Sequence, residues 1–146
     1  MVSAPCSSTA SGYLSFMGSS SSNRRVRVNQ PILDGLGQDG LLDFEATMSR
    51  EDGEGVKTVL QDRQVHRLVL SDGHTYFLKR TFSVSMRNAV KHKLFGQGSH
   101  SRPGCEWTAL MRMQELGVQA PIPVICAEEY VLGSVRRAYV LTQGLP

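Results

Sequence analysis

The chain has 146 residues, of which 40% are apolar and 20% are charged, and its formal net charge is +3. This length is enough for one domain with tails, and the net charge is too small to indicate a nucleic-acid partner. The three cysteines are odd in number and widely spaced, which argues against a disulfide framework and against a structural zinc site. A reducing compartment fits best, and no apolar run approaches the roughly 20 residues that cross a bilayer.

Residues 1–40 have the composition of a tail rather than of a packed domain. Residues 1–22 are rich in Ser, Gly and Thr and carry no charged side chain, which predicts a disordered leader. Residues 23–39 are interrupted by Pro31, Gly35 and Gly37, which indicates an extended connector. We therefore predict a leader and connector over residues 1–40 and one folded domain over residues 41–146.

The predicted domain begins with a short helix and a strand. Leu41, Phe44 and Met48 recur at helical spacing, which predicts one helix over residues 41–48. A strand is predicted at residues 56–60, followed by a polar turn at 61–64.

The next stretch has the pattern of a β-hairpin. Asp72-Gly73 separates two alternating apolar runs at residues 65–70 and 76–78, and this dipeptide favours a tight turn. Lys79 follows the second run directly. A lysine at a strand end has its stem held in place, so its ammonium group can serve as a point charge for phosphate.

A basic segment then leads to the longest predicted helix. Residues 81–103 contain four lysines and arginines and two histidines but no acid, and a weak helical pattern lies around residues 86–94. Pro103-Gly104 opens a helix over residues 105–116, and Gly117 ends it. Glu106 is therefore predicted in the first turn, where the helix dipole favours a carboxylate. Two further strands are predicted at residues 124–127 and 136–142.

This order of elements predicts an α+β fold with a five-stranded antiparallel sheet and one main packed helix. The order resembles the small lobe of the protein-kinase fold. That resemblance implies that Lys79 holds the α- and β-phosphates of ATP and that Glu106 pairs with Lys79. It also implies an adenine-binding hinge near Gln143 and Leu145, and strand alternation would place Phe77 on the face of Lys79, where it could roof the adenine.

Three stretches resemble a more specific family. They are DGHTYFLKR at 72–80, EWTALMRMQELGV at 106–118 with PIP at 121–123, and YVLT at 139–142. Together they are similar to the small lobe of the lipopolysaccharide core kinases, which include heptose and Kdo kinases. The resemblance covers about residues 41–146 and implies ATP with Mg²⁺ as cofactors and a lipopolysaccharide core sugar as acceptor. It also implies a cytoplasmic location with peripheral contact to the inner face of the membrane, and no nucleic-acid partner.

The chain departs from that family's pattern in ways that bear on activity. No glycine-rich G-x-G-x-x-G loop lies between the first two strands, and Gln143 stands where the family usually has Glu. The large lobe supplies the catalytic base and most metal ligands in such enzymes. The sequence after the hinge is absent, so we expect a truncated gene or a fragment that is inactive by itself, with no catalytic or metal-binding residue.

Two other functions are compatible with the sequence. One is a binding module that uses the basic segment for phosphate-rich partners, with Phe82 and Phe95 available for stacking. The other is a pseudokinase-like partner that keeps the fold and regulates a complete kinase.

Overall fold

The structure, a computed structural model, describes residues 13–14, 23–36, 39–60, 62–82, 101–131 and 133–145. Within these ranges a single antiparallel sheet has the strand order β1-β2-β6-β7-β5-β4-β3. Its strands are β1 Tyr13–Leu14, β2 Asn23–Val28, β3 Glu54–Leu60, β4 Arg63–Val69, β5 Thr75–Thr81, β6 Ile122–Val131 and β7 Ser134–Gln143. The helices are α1 Gln30–Leu33, followed by a 3₁₀ turn at Asp34–Leu36, then α2 Phe44–Ser49 and α3 Arg102–Glu115.

The predicted hairpin at Asp72-Gly73 is confirmed. Gly73 has a φ of 77°, a left-handed conformation that glycine adopts without a steric penalty. The Asp72 carboxylate accepts a hydrogen bond from the His74 amide at 2.9 Å, and its other oxygen accepts one from the Tyr76 hydroxyl at 2.6 Å. The turn fixes the register that pairs Val65 with Lys79.

The sheet is covered on both faces. On one face α3 packs through Trp107 and Met111 against Cys126 and Val140, which lie side by side on β6 and β7. Burial raises the pKa of the Cys126 thiol above its usual range, so this side chain behaves as an apolar core residue.

The opposite face carries the larger core, and α2 is part of it. Asp43 caps α2 by accepting a hydrogen bond from the Ala46 amide at 3.1 Å. Phe44 and Met48 are buried, as their helical spacing predicts. The Tyr139 hydroxyl donates to the Leu41 carbonyl at 2.7 Å, which ties the entrance of α2 to β7.

The prediction of an α+β small lobe is confirmed, but the sheet has seven strands rather than five within the described residues. The two additional strands come from residues that we assigned to the leader and connector. Strand β2 pairs with β6 along its whole length, and β1 pairs with β2. Local composition does not reveal these strands, because β2 depends on a partner about 100 residues away in the chain. The weakly helical stretch predicted at residues 86–94 lies outside the described residues.

Candidate functional site

Lys79 lies inside β5, two residues before its end, and not at the strand terminus that we predicted. The strand alternates strictly, so that Tyr76, Leu78 and Arg80 are buried while Phe77 and Lys79 are half-buried on the other face. Lys79 lies directly opposite Val140, and Val140 lies directly opposite Cys126. The lysine therefore belongs to the row of residues on which α3 packs.

Helix α3 begins at Arg102, three residues earlier than predicted, with Ser101 as its N-cap. The Ser101 hydroxyl accepts a hydrogen bond from the Gly104 amide at 2.9 Å, so the helix is extended by a side-chain cap. Glu106 consequently lies in the second turn, and our assignment of it to the first turn is wrong. Its position is set by packing, because the next residue, Trp107, is buried against the sheet.

The structure brings Lys79 and Glu106 into direct contact, as the sequence predicted. The Lys79 ammonium donates a hydrogen bond to Glu106 Oε1. The side chains keep 35% and 30% of their exposure, respectively. An ion pair at this degree of exposure contributes only about 0–1 kcal/mol to stability. The pair therefore orients two charged groups at a solvent-accessible position and adds little to the fold.

The pair borders a pocket between β4, β5 and the start of α3. Arg63 and Arg102 also line this pocket, and neither residue was predicted to belong to the site. Arg63 lies opposite Thr81 in the β4–β5 register, on the same face as Lys79. The hairpin register could have predicted that Arg63 lies on the face of Lys79. The position of Arg102 follows only from the observed start of α3. Within the described residues, neither guanidinium lies within 4.0 Å of a carboxylate.

Phe77 and the predicted hinge lie at the other end of β5. The Gly144 amide donates to the Thr75 carbonyl at 2.9 Å, so the chain after β7 continues alongside β5. A Cβ atom at Gly144 would come within 3.2 Å of the Phe77 ring. The backbone at Gly144 therefore passes close to the edge of the Phe77 ring.

The two hinge side chains named in the sequence analysis are not part of the pocket around Lys79. Gln143 lies opposite Tyr76, on the face of the sheet away from Lys79. Leu145 lies beyond β7 and is 51% exposed. Any contact of residues 143–145 with a ligand on the Lys79 face would therefore be made mainly through the backbone.

The described part of the chain offers few other candidate sites. No group of three or more His, Cys, Asp or Glu side chains in it could hold a metal ion. No helix there is long and apolar enough to span a membrane. Most of the basic segment between β5 and α3, including Phe95, lies outside the described ranges, whereas Phe82 packs against the larger core.

In protein kinases a lysine on the third strand of the small lobe pairs with a glutamate on a packed helix. Strand β5 and helix α3 present the same pair here, so the fold is that of a protein-kinase-like small lobe. Residues 42–146 match the sequence model of the lipopolysaccharide kinase (Kdo/WaaP) family. The match covers well over half of the chain, so the chain belongs to this family.

Comparison with solved structures gives the same fold. The chain is similar to a structure described as "WaaP in complex with acyl carrier protein", with a TM-score of 0.53 and 23% sequence identity. The match covers 83% of this chain and 41% of that chain, so the present chain spans less than half the length of that relative. A search of curated proteins found no match.

Proposed function

We propose that this chain is the nucleotide-binding lobe of an ATP-dependent kinase that phosphorylates a sugar of the lipopolysaccharide core. The observation that carries the proposal is the Lys79–Glu106 contact at the edge of a pocket. Membership in the Kdo/WaaP family supports phosphoryl transfer as the chemistry and lipopolysaccharide as the acceptor class. The partial exposure of both side chains supports a role in ligand binding, because a ligand can reach them and an ion pair this exposed contributes little to stability.

The cations that line the pocket support the binding of a nucleoside triphosphate. In the proposal Lys79 binds the α- and β-phosphates while Glu106 keeps the ammonium group aimed at the pocket. Arg63 and Arg102 add two cations to the same pocket. They would compensate for the absent glycine-rich loop, because guanidinium groups can bind phosphate in place of backbone amides.

The adenine end of the nucleotide would lie at Phe77. The close approach of Gly144 to the Phe77 ring leaves the backbone of residues 143–145 beside an aromatic edge, and kinase hinges recognise adenine through backbone groups. ATP would supply the transferred γ-phosphoryl group, and Mg²⁺ would neutralise charge on the phosphates. The proposal assigns neither the Mg²⁺ ligands nor the acceptor base to any residue of this chain. A cytoplasmic location, with peripheral contact to the membrane that carries the acceptor, belongs to the same proposal.

Titration of the chain with MgATP, followed by calorimetry, tests the proposal. We expect Lys79→Ala to lower affinity about tenfold or more, because a charge-assisted phosphate contact is lost. Glu106→Gln should lower it less, because the lysine keeps its charge and loses only its partner. The free energy of unfolding should change by about 1 kcal/mol or less in Lys79→Ala.

Arg112→Ala is the matched control. It removes one cation and one exposed ion pair, with Glu115, from the far end of the same helix, and should change affinity about twofold at most. Equal MgATP affinity in Lys79→Ala and the parent chain would refute the site, and so would an equal loss in Arg112→Ala.

A further inference from the structure

Glu128 is a buried carboxylate on the sheet face that carries Lys79. Only 1% of its surface is exposed. It lies opposite Ala138, which lies opposite Thr81, in the row next to the one that contains Lys79. A buried carboxylate within a strand has a large desolvation cost unless several groups bind it. The partners of Glu128 therefore indicate its role.

Two of the four hydrogen bonds that Glu128 accepts come from Ser101, at the start of α3. The Ser101 hydroxyl donates to Glu128 Oε1, and the Ser101 amide donates to the same oxygen at 3.3 Å. The other oxygen accepts from the Tyr130 hydroxyl at 3.1 Å and faces the Arg27 guanidinium at 3.5 Å. Because Ser101 is also the N-cap of α3, the carboxylate, the cap and the first helical turn form one connected set of hydrogen bonds.

Gly104 shows how closely the helix approaches this carboxylate. A Cβ atom at residue 104 would lie 2.5 Å from Glu128 Oε1 and 3.1 Å from Ser101 Oγ. Any side chain here would displace either the Glu128 carboxylate or the first turn of α3. The negative charge also lies at the end of the helix where the dipole favours it. Glu106 is two residues beyond Gly104, so a displacement of this turn would move Glu106 relative to Lys79.

We infer that Glu128 is a positioning residue that anchors the N-terminus of α3 to β6 and thereby keeps Glu106 in contact with Lys79. Glu128 does not line the Lys79 pocket, so it acts through the helix. Its effect on nucleotide binding rests on the proposed function, whereas its effect on the helix does not.

The adjacent residue supplies a matched control. Glu129 is equally buried at 2% exposure, but it lies on the opposite face and binds Arg137 and Arg24. Glu128→Gln and Glu129→Gln therefore each remove one buried charge from the same strand, and only the first touches α3.

Amide hydrogen exchange of the nucleotide-free chain tests the anchor directly. In Glu128→Gln we expect the amides of residues 104–107 to exchange about tenfold faster, relative to those of β7, because a charged hydrogen-bond acceptor is lost. Glu129→Gln should leave that ratio unchanged. Ser101→Ala removes the cap hydroxyl but keeps the Glu128 carboxylate, and it should also speed exchange in residues 104–107. This variant replaces Glu128→Gln in the test if Glu128→Gln does not fold.

A parallel MgATP titration tests the consequence. Glu128→Gln should lower affinity about threefold or more, because a smaller fraction of molecules has Glu106 in place, while Glu129→Gln should not. Equal exchange ratios in the two glutamine variants, with no change in Ser101→Ala, would overturn the anchor. Faster exchange in α3 with unaltered MgATP affinity would overturn its link to Lys79. Failure of the parent chain to bind MgATP would refute the proposed function, and the exchange comparison would still decide the anchor.

Discussion

The two faces of the sheet use neighbouring charged residues in opposite ways. Lys79 faces α3, keeps 35% of its side-chain exposure and contacts one carboxylate. Arg80, the next residue, faces α2, is 3% exposed and donates to the carbonyls of Met48 and Arg50 at 2.9 and 2.6 Å. Those two bonds come from Arg80 Nη1, and Arg80 Nη2 donates to Gln64 Oε1 at 3.0 Å. Exposure and the number of partners thus separate a cation available to a ligand from one committed to the fold.

Strand β6 also directs two neighbouring acids to opposite faces, although both are buried. Glu128 contacts the start of α3, whereas Glu129 joins a cluster with Arg24, Arg137 and Glu45 over the ring of Phe44. That cluster fastens β2, α2 and β7 to one another. The comparison teaches that charge type alone does not indicate a functional role. The face of the strand distinguishes the two residues in both pairs, and exposure also distinguishes Lys79 from Arg80.

The largest expected difference between the faces is in stability. Arg80→Met should lower the free energy of unfolding by about 3 kcal/mol, because it leaves buried carbonyls near the end of α2 without a donor. Lys79→Met should lower it by about 1 kcal/mol or less. Urea unfolding measures both, and similar losses in the two variants would contradict the division between the faces.

A smaller effect is expected from the acidic cluster. Hydrogen bonding from Arg137 is the main cause that holds the pKa of Glu129 below its usual 4.5, against the opposing effect of burial. A carboxylate with a lowered pKa stabilises the folded state at neutral pH, and this stabilisation is lost as the pH falls below about 4.5. Arg137→Met should lower stability at pH 7 by about 1–3 kcal/mol.

The pH dependence checks the cause. Unfolding measured from about pH 6 to about pH 3.5 should show a steeper loss in the parent chain than in Arg137→Met. Identical slopes would show that the ion pairs of Arg137 do not cause the pH dependence of the free energy of unfolding.

The smallest effect is expected at His66, which lies beside Arg80. Burial first, and then the Arg80 charge, lower the pKa of His66 from its usual 6.5. The unfolded chain therefore binds a proton more readily, so stability is complete above about pH 6.5 and declines as the pH falls through the lowered pKa. His66→Gln should flatten the stability profile between about pH 7.5 and pH 5.5. His74→Gln, at the exposed hairpin turn, is the control, and equal flattening in both variants would exclude His66 as the source.

Much of the site could be predicted because its determinants are local. The Asp72-Gly73 turn sets the register of β4 and β5, and strand alternation then places Phe77 and Lys79 on one face. The apolar stripe of α3, with Trp107 at its centre, brings Glu106 to the same side. The family resemblance rested on these stretches and was confirmed.

The sequence by itself determined the kinase-like order of elements, since turn chemistry and hydrophobic periodicity act over a few residues. The pairing of Lys79 with Glu106 was implied by the resemblance to the kinase small lobe, and the structure shows the contact. Only the tertiary structure decided that β2 joins the sheet, that Arg80 is sealed under α2, and that Glu128 reaches the cap of α3. These features join residues that are 27 to 107 positions apart. Their energy comes from burial and hydrogen bonding between distant segments, which leave no periodic signal in the chain.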